Sequence, residues 1–346
     1  MQFIKPDINL DFVGKRGVAF CLSGLLILIS IVSLIIHKGP KYGIDFAGGT
    51  VVQVKFTAPV EVNAVKDGFI KAGIGNPSVQ RFGERKDHEF LVRTDTTEEV
   101  AKESSAEFQQ ALQTATGVQA EIRRVEMVGP QVGKDLREKA LFAIFYSLLF
   151  ITIYISGRFE FKWLVSGALA AALIGATYLA KVIHVSIPVL IIAAMIVTLI
   201  LFWFLELKYA MGAIVALIHD VTITVGVFSV FGKEFSLPII AAILTIIGYS
   251  LNDTIIVFDR IRENLRKYQK NPMGFVINRS INETLSRTIL TSGTTLIVVV
   301  VLVFLGGGII HDFAFALMVG IIVGTYSSIY VASPILLAWQ NRPQRK

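Results

Sequence analysis

Leu237-Pro-Ile-Ile-Ala-Ala-Ile-Leu-Thr-Ile-Ile-Gly-Tyr-Ser-Leu-Asn-Asp-Thr-Ile-Ile-Val-Phe258 is the stretch that decides the fold. It is long enough to cross a bilayer, which takes about 20 apolar residues. One acid, Asp253, interrupts it, followed by the apolar Ile255 to Phe258. A charge at membrane depth costs roughly 2.5–3.5 kcal/mol on insertion scales, so an acid that persists there faces a bundle interior or a proton path. Ser250 and Thr254 lie around Asp253 at helical spacing and Asn252 adjoins it, giving one polar sector on an apolar helix.

The rest of the chain repeats that pattern. Of 346 residues, 53% are hydrophobic and only 17% charged, where soluble domains have about 25%; a water-soluble globule is excluded. Further apolar runs cover Val18 to Ile36, Ala140 to Ile155, Leu164 to Ile183, Ile187 to Leu205, Ala210 to Phe231, Ile289 to Leu305 and Phe313 to Leu337. Eight transmembrane helices are therefore expected, with both termini cytoplasmic. The basic residues agree. Arg158, Lys162, Lys208, the cluster Arg260, Arg262, Arg266, Lys267, Lys270, Arg279 and Arg287, and finally Arg342, Arg345 and Lys346 fall on one side, and only Lys181 and Lys233 on the other. The net charge of +7 thus sets topology and does not argue for nucleic acid. The first run is too long for a signal peptide and no small-residue cleavage site follows it, so it reads as an uncleaved helix. Cys21 is the one cysteine, which leaves no disulfide framework.

The soluble-type segment from Pro40 to Lys139 then faces outward. Its periodicity switches between strand and helix at turn residues. Strands are predicted at Val51 to Phe56, Ser78 to Phe82, Glu89 to Arg93 and Gln119 to Val128, and helices at Val60 to Ala72 and Glu98 to Thr114. The order is βαββαβ, that of a ferredoxin-like extracytoplasmic domain. The expected division is 1–39 for the N-terminal segment and first helix, 40–137 for the outer domain, 138–340 for the bundle and 341–346 for a cytoplasmic tail. Within the bundle, a cytoplasmic loop is expected at about 259–287. Glu160-Phe-Lys with Gly167 resembles Glu206-Leu-Lys with Gly212 about 45 residues later, either because a hairpin was duplicated at about 164–205 or by chance between two apolar helices entered from the same side.

Enzyme motifs find no support. His88-Glu89 has Val92 where a zinc protease needs its second histidine, and Gly129 to Lys134 is one residue short of a phosphate loop. No cofactor, metal or catalytic residue is expected. Arg287 stands at the inner entrance of the helix after Asp253, and Thr291 continues its face. A carboxylate in low dielectric keeps its proton unless a cation stabilises the charge, so a movable arginine could switch such an acid; a static ion pair would serve packing alone. His219 and Asp220, in mid-helix, are a second candidate, either as a proton relay or as hydrogen-bonding partners of neighbouring helices. His311 and Asp312 are expected in an outer loop, and Gly320 to Gly324 offers close helix packing.

Five motifs carry a resemblance to a known family. They are Tyr42-Gly-Ile-Asp-Phe-Ala-Gly-Gly-Thr50, Val128-Gly-Pro-Gln-Val-Gly133, Ala216-Leu-Ile-His-Asp220, Gly248-Tyr-Ser-Leu-Asn-Asp-Thr-Ile-Ile-Val-Phe-Asp-Arg-Ile-Arg-Glu-Asn264 and Asn278-Arg-Ser-Ile-Asn-Glu-Thr-Leu-Ser-Arg-Thr-Ile-Leu-Thr291. In this order they resemble the SecF family of bacterial protein-export membrane subunits. The resemblance implies an RND-like half-transporter in the bacterial inner membrane. It would pair with SecD, work beside the SecYEG channel, with YajC as a further partner, and use the proton gradient to promote translocation of unfolded preprotein. It also implies proton conduction at Asp253 and Arg287; Asp220, His219, Asn252 and Thr291 are added to the expected pathway from their spacing alone. Family members usually have six membrane helices, so the hairpin at about 164–205 is expected to pack peripherally. Gly43, Asp45, Gly48 and Gly49 on one side, and Gly129 and Pro130 on the other, join the outer domain to its two helices and are expected to act as hinges. Two alternatives stay open at this point: a scaffold that stabilises SecD and the channel without conducting protons, and a small-molecule RND exporter.

Overall fold

With no water to solvate it, a membrane-crossing backbone must satisfy its own hydrogen bonds, and an apolar run does so as a helix. The computed structural model describes residues 8–72, 74, 77–83, 87–94, 105–182 and 187–340. In chain order the elements are α1 (Arg16–Ile36), one turn of α2 (Ile44–Ala47), β1 (Gly49–Phe56), α3 (Val62–Lys71), β2 (Ser78–Phe82), β3 (Glu89–Thr94), α4 (Ser105–Thr116) and β4 (Ala120–Val128). The bundle follows with α5 (Pro130–Glu160), α6 (Trp163–Val182), α7 (Ile187–Phe204), α8 (Lys208–Val230), α9 (Leu237–Lys267), α10 (Met273–Leu305) and α11 (Gly307–Ser327). A π-helical turn, Ser328–Ala332, leads into α12 (Ser333–Gln340). The π turn sits where Pro334 has no N–H to give and its ring excludes the carbonyl four residues back.

Six stretches among the described residues are long and apolar enough to cross a membrane: Arg16–Ile36, Pro130–Glu160, Lys208–Val230, Leu237–Lys267, Met273–Leu305 and Ile310–Trp339. The hairpin α6–α7 is apolar but shorter. It packs on α5 and α8 and exposes Leu164, Leu179, Val189, Ile192 and Phe204 on its other side, as a peripheral element does. Its two flanking corners are alike, since Phe161 and Glu206 are both left-handed (φ +56° each).

Several boundaries differ from the sequence reading. The expected cytoplasmic loop at 259–287 is helical: α9 runs on to Lys267 and α10 begins at Met273. Charged faces there pair across helices, as in Arg158–Asp259 at 2.6 Å, and along one helix, as in Arg279–Glu283 at 2.8 Å, so hydropathy falls while the helices continue. α5 likewise starts at Pro130, inside the segment read as outer domain. His311 and Asp312 lie in α11 and not in a loop, where Asp312 takes Lys233 at 2.5 Å. Of the second predicted outer helix, 98–104 lie outside the described residues, as does the tail 341–346.

The outer sheet has the order β2-β3-β1-β4 with every neighbouring pair antiparallel. Val52, Val54 and Phe56 of β1 and Phe90 and Val92 of β3 point to one face and are buried with Val65 and Phe69 of α3 and Leu112 of α4. Each such side chain contributes about 1.5–3 kcal/mol on burial. The other face turns to the bundle. There Gly43 N–H donates to the Phe235 carbonyl (2.6 Å), Phe235 N–H to the Lys41 carbonyl (2.7 Å), and the Arg93 guanidinium grips Glu234 with both of its terminal nitrogens. A cleft of about 380 Å³ remains between sheet and bundle. On the opposite side of the bundle, the Asn278 and Asn282 side chains hold the backbone of Leu10 and Phe12 against α10.

The two links between outer domain and bundle cross each other. Gly48 and Gly49 have φ of +79° and +114°, and a Cβ on Gly48 would stand 2.8 Å from the Pro130 Cα. Gly129, by contrast, has φ −64° and open space around it. Gly48→Ala is therefore expected to cost about 1–3 kcal/mol, whereas Gly129→Ala is expected to be neutral. Thermal unfolding of the purified variants in detergent checks the difference.

Candidate functional site

Buried polar side chains in the bundle form two clusters on one face of α9, and they differ in how fully they are satisfied. The first surrounds Asp220 of α8, which is 0% exposed. Its Oδ2 accepts from Ser250 of α9 (2.5 Å) and Ser327 of α11 (2.8 Å), and its Oδ1 meets His219 Nδ1 at 2.8 Å. The chain continues through His219 Nε2 to Ser23 Oγ (3.1 Å) and from Ser23 Oγ to Tyr326 Oη (3.1 Å). Tyr326 spends its only proton on the Ala19 carbonyl at 2.7 Å. Ser23 must then donate to Tyr326, and His219 Nε2 must donate to Ser23. One further proton lies between Nδ1 and Oδ1, so His219 and Asp220 form a net-neutral pair tying α1, α8, α9 and α11 together.

The second cluster holds Asp253, one turn further along α9 and 1% exposed. Thr325 Oγ1 of α11 donates to Ser292 Oγ (2.9 Å), which donates to Asp253 Oδ2 at 3.1 Å. Oδ1 is buried with no partner among the described residues, and so is the Thr288 hydroxyl one turn from Ser292 on α10. An unpaired buried carboxylate oxygen costs about 1–3 kcal/mol or more, a cost that protonation lowers by removing the charge.

The structure does not bring the other expected members to Asp253. Arg287 is exposed and makes no hydrogen bond or ion pair with Asp253 among the described residues, so it bears on the acid through its charge alone. One residue before Thr288, it turns about 100° away from the α9-facing side. Asn252 is exposed as well, because it adjoins Asp253 in sequence and so points to another side of the helix. Thr291 is exposed and its hydroxyl returns to the Arg287 carbonyl at 3.0 Å. Ser292 was missed by the sequence reading, although it sits one position beyond Thr291 and repeats at four-residue spacing with Thr288.

Asp45 has a defined place: its Oδ2 accepts from Leu237 N–H at 2.8 Å, capping the N-terminus of α9. The helix that carries Asp253 is thus anchored to the motif that starts the outer domain. Gly133 of α5 closes the joint, since a Cβ there would stand 3.0 Å from the Gly48 nitrogen.

A helix bundle with acids at membrane depth, bearing an α/β domain between its first two long helices, defines a class of membrane transport protein. The family described as protein export membrane protein SecD/SecF, C-terminal, matches residues 107–180 and 168–342, and the SecD/SecF GG motif matches 33–60. The chain belongs to the SecD/SecF family of protein-export membrane proteins. It is 42% identical over 339 residues to the protein translocase subunit SecF of Desulfurispirillum indicum, covering 96% of this chain and 92% of that one. To the SecF subunit of Vibrio alginolyticus it is 40% identical over 337 residues, 97% of this chain and 91% of the relative. The crystal structure of SecDF, a translocon-associated membrane protein from Thermus thermophilus, superposes with a TM-score of 0.72 at 33% identity over 98% of this chain. The chain spans 40% of that SecDF chain.

The two acids differ in what their loss exposes. Asp220→Ala strands three buried donors, on His219, Ser250 and Ser327, and is expected to destabilise by about 3 kcal/mol or more. Asp253→Asn keeps an acceptor for Ser292 and trades an unpaired carboxylate oxygen for an unpaired neutral amide, so it is expected to stay within about 1 kcal/mol of the parent. Denaturant melts in detergent measure both.

Proposed function

We propose that the chain is the SecF-type half of a proton-driven preprotein export machine, with Asp253 as the group that gains and loses the proton. The observation that carries this is the Asp253 carboxyl, sequestered in the bundle with one oxygen held by Ser292 and the other without a bond among the described residues. A static packing acid is satisfied on both oxygens, as Asp220 is. His219 and Asp220 then serve first as the pin of the bundle. In this reading the bundle is RND-like with eight crossings, α6–α7 being an added hairpin, and the outer domain is ferredoxin-like. The two overlapping family matches, 107–180 and 168–342, meet within that hairpin, which supports an insertion there. The protein lies in the bacterial cytoplasmic membrane, with both termini inside and residues 40–129 outside.

Asn252, Arg287, Thr291 and Thr294 are exposed on α9 and α10. Polar side chains facing hydrocarbon are costly, and a partner helix with its own polar groups removes that cost. That partner is SecD, and a SecD carboxylate opposite Arg287 would complete the gate that the isolated chain lacks. SecYEG, YajC and the emerging unfolded preprotein are the further partners. A shift of α9 reaches the outer domain through Asp45 and through Glu234, which Arg93 and Lys41 hold. One charge crossing 100 mV supplies about 2.3 kcal/mol, comparable with breaking one such contact set.

Asp253→Asn is expected to abolish gradient-stimulated export into inverted membrane vesicles while SecD still co-purifies; unchanged stimulation would leave a scaffold role. The double variant Asp45→Ala/Glu234→Gln is expected to lose most of the stimulation while proton flux persists. Export and flux assayed on the same vesicles decide this.

A further inference from the structure

Two contacts fix how α9 and α10 run past each other. Asp253 meets Ser292 at 3.1 Å, and eleven residues on, Asn264 Nδ2 donates to Ser280 Oγ at 3.0 Å and to Glu283 Oε2 at 2.8 Å. In the antiparallel register set by these ends, Val257 and Ile261 of α9 oppose Thr288 and Thr284 of α10. Ser292, Thr288, Thr284 and Ser280 recur at every fourth residue and are all buried, at 6%, 1%, 6% and 0% exposure. The seam is thus a column of hydroxyls along an apolar wall, joining the membrane acid to the charged end of the helix pair.

We propose that this seam is the inward limb of the proton path, with Thr288 and Thr284 relaying the proton from Asp253 to a mouth formed by Ser280, Asn264 and Glu283. The proposal rests on the reading of Asp253 as the proton-exchanging group. A second observation points the same way: of the threonines on α10, Thr284, Thr291, Thr294 and Thr295 return their hydroxyls to carbonyls of their own helix, the usual habit of a helical threonine. Thr288 does not, and its buried oxygen is unpartnered among the described residues, as is Asp253 Oδ1 one helix away. Successive hydroxyls lie about 6 Å apart along the axis, a gap that one water closes with two hydrogen bonds of about 2.8 Å. Glu283, partly exposed, ends the column with Arg279 Nε at 2.8 Å and Arg260 Nε at 3.6 Å from its carboxylate.

In the transfer, the O–H bond of protonated Asp253 breaks and its proton passes to the first water or hydroxyl. Each hydroxyl accepts one proton and releases its own toward the cytoplasm, and the last passes to bulk water at the mouth, beside the Glu283 carboxylate that Arg279 and Arg260 keep ionised. One proton leaves Asp253, one arrives inside, and no electrons change hands.

The test uses the full chain with its SecD partner in liposomes loaded with a pH-sensitive dye. Thr288→Val nearly preserves shape and removes only an unpaired hydroxyl, so its melting should match or exceed the parent's. Its proton flux should fall by about tenfold or more, Thr284→Val should act likewise, and Thr288→Ser, which keeps the hydroxyl, should restore flux. Parental flux in both valine variants, with Asp253→Asn silent, removes the limb and leaves the reading of Asp253 standing. Parental flux in Asp253→Asn removes both. Flux lost together with stability in Thr288→Val, unrescued by serine, makes Thr288 a packing residue and overturns the proposal.

Discussion

The low dielectric of the bundle interior governs the arrangement. It makes every buried acid demand a partner, and hydroxyls on neighbouring helices meet that demand. Ser250, Ser292, Ser327 and Thr325 hold Asp220 and Asp253 in place, and by doing so fix how α8, α9, α10 and α11 pack. Hydrocarbon drives no helix together against lipid, so small residues and interhelical hydrogen bonds do that work. Gly226 beside Ser30, Gly320 beside Ile246 and Gly324 beside Ser250 let the backbones come close enough for those bonds.

The unequal satisfaction of the two acids divides their roles. Around Asp220 each donor has an acceptor and the chain of contacts ends at a backbone carbonyl, which suits a fixed joint. Around Asp253 a single serine contact leaves an oxygen and a neighbouring threonine hydroxyl unused, which suits a group whose charge changes. Both are bound up with α9, which carries Asp253 and supplies Ser250 to Asp220; its outer end is capped by Asp45 and its inner end meets Glu283 through Asn264. One rigid helix therefore touches the outer domain, both acids and the cytoplasmic charges, a geometry in which a local change in charge can be felt at either end.

Much of this was legible in the chain. Length and hydropathy located the helices, and two-residue periodicity located the strands, with Ser78 to Phe82 matching in full. Asp253 stood out because an acid in an apolar run has few uses. The continuation of α9 and α10 past the membrane was hidden, since their charged faces look like loop when only hydropathy is read. The one-turn α2 was hidden as well, being too short to show a period.

What the sequence by itself determined is the inventory: the apolar runs, the acids within them and the order of the outer strands and helices. These are local properties of composition and spacing. Which hydroxyl meets which acid was decided only by tertiary structure, because a residue's partner depends on the rotation of two helices about their axes. Rotation is set by packing across the whole bundle. It turned Ser292 and Thr288 inward and Arg287, Thr291 and Asn252 outward, though all five lie within a few residues of one another or of Asp253.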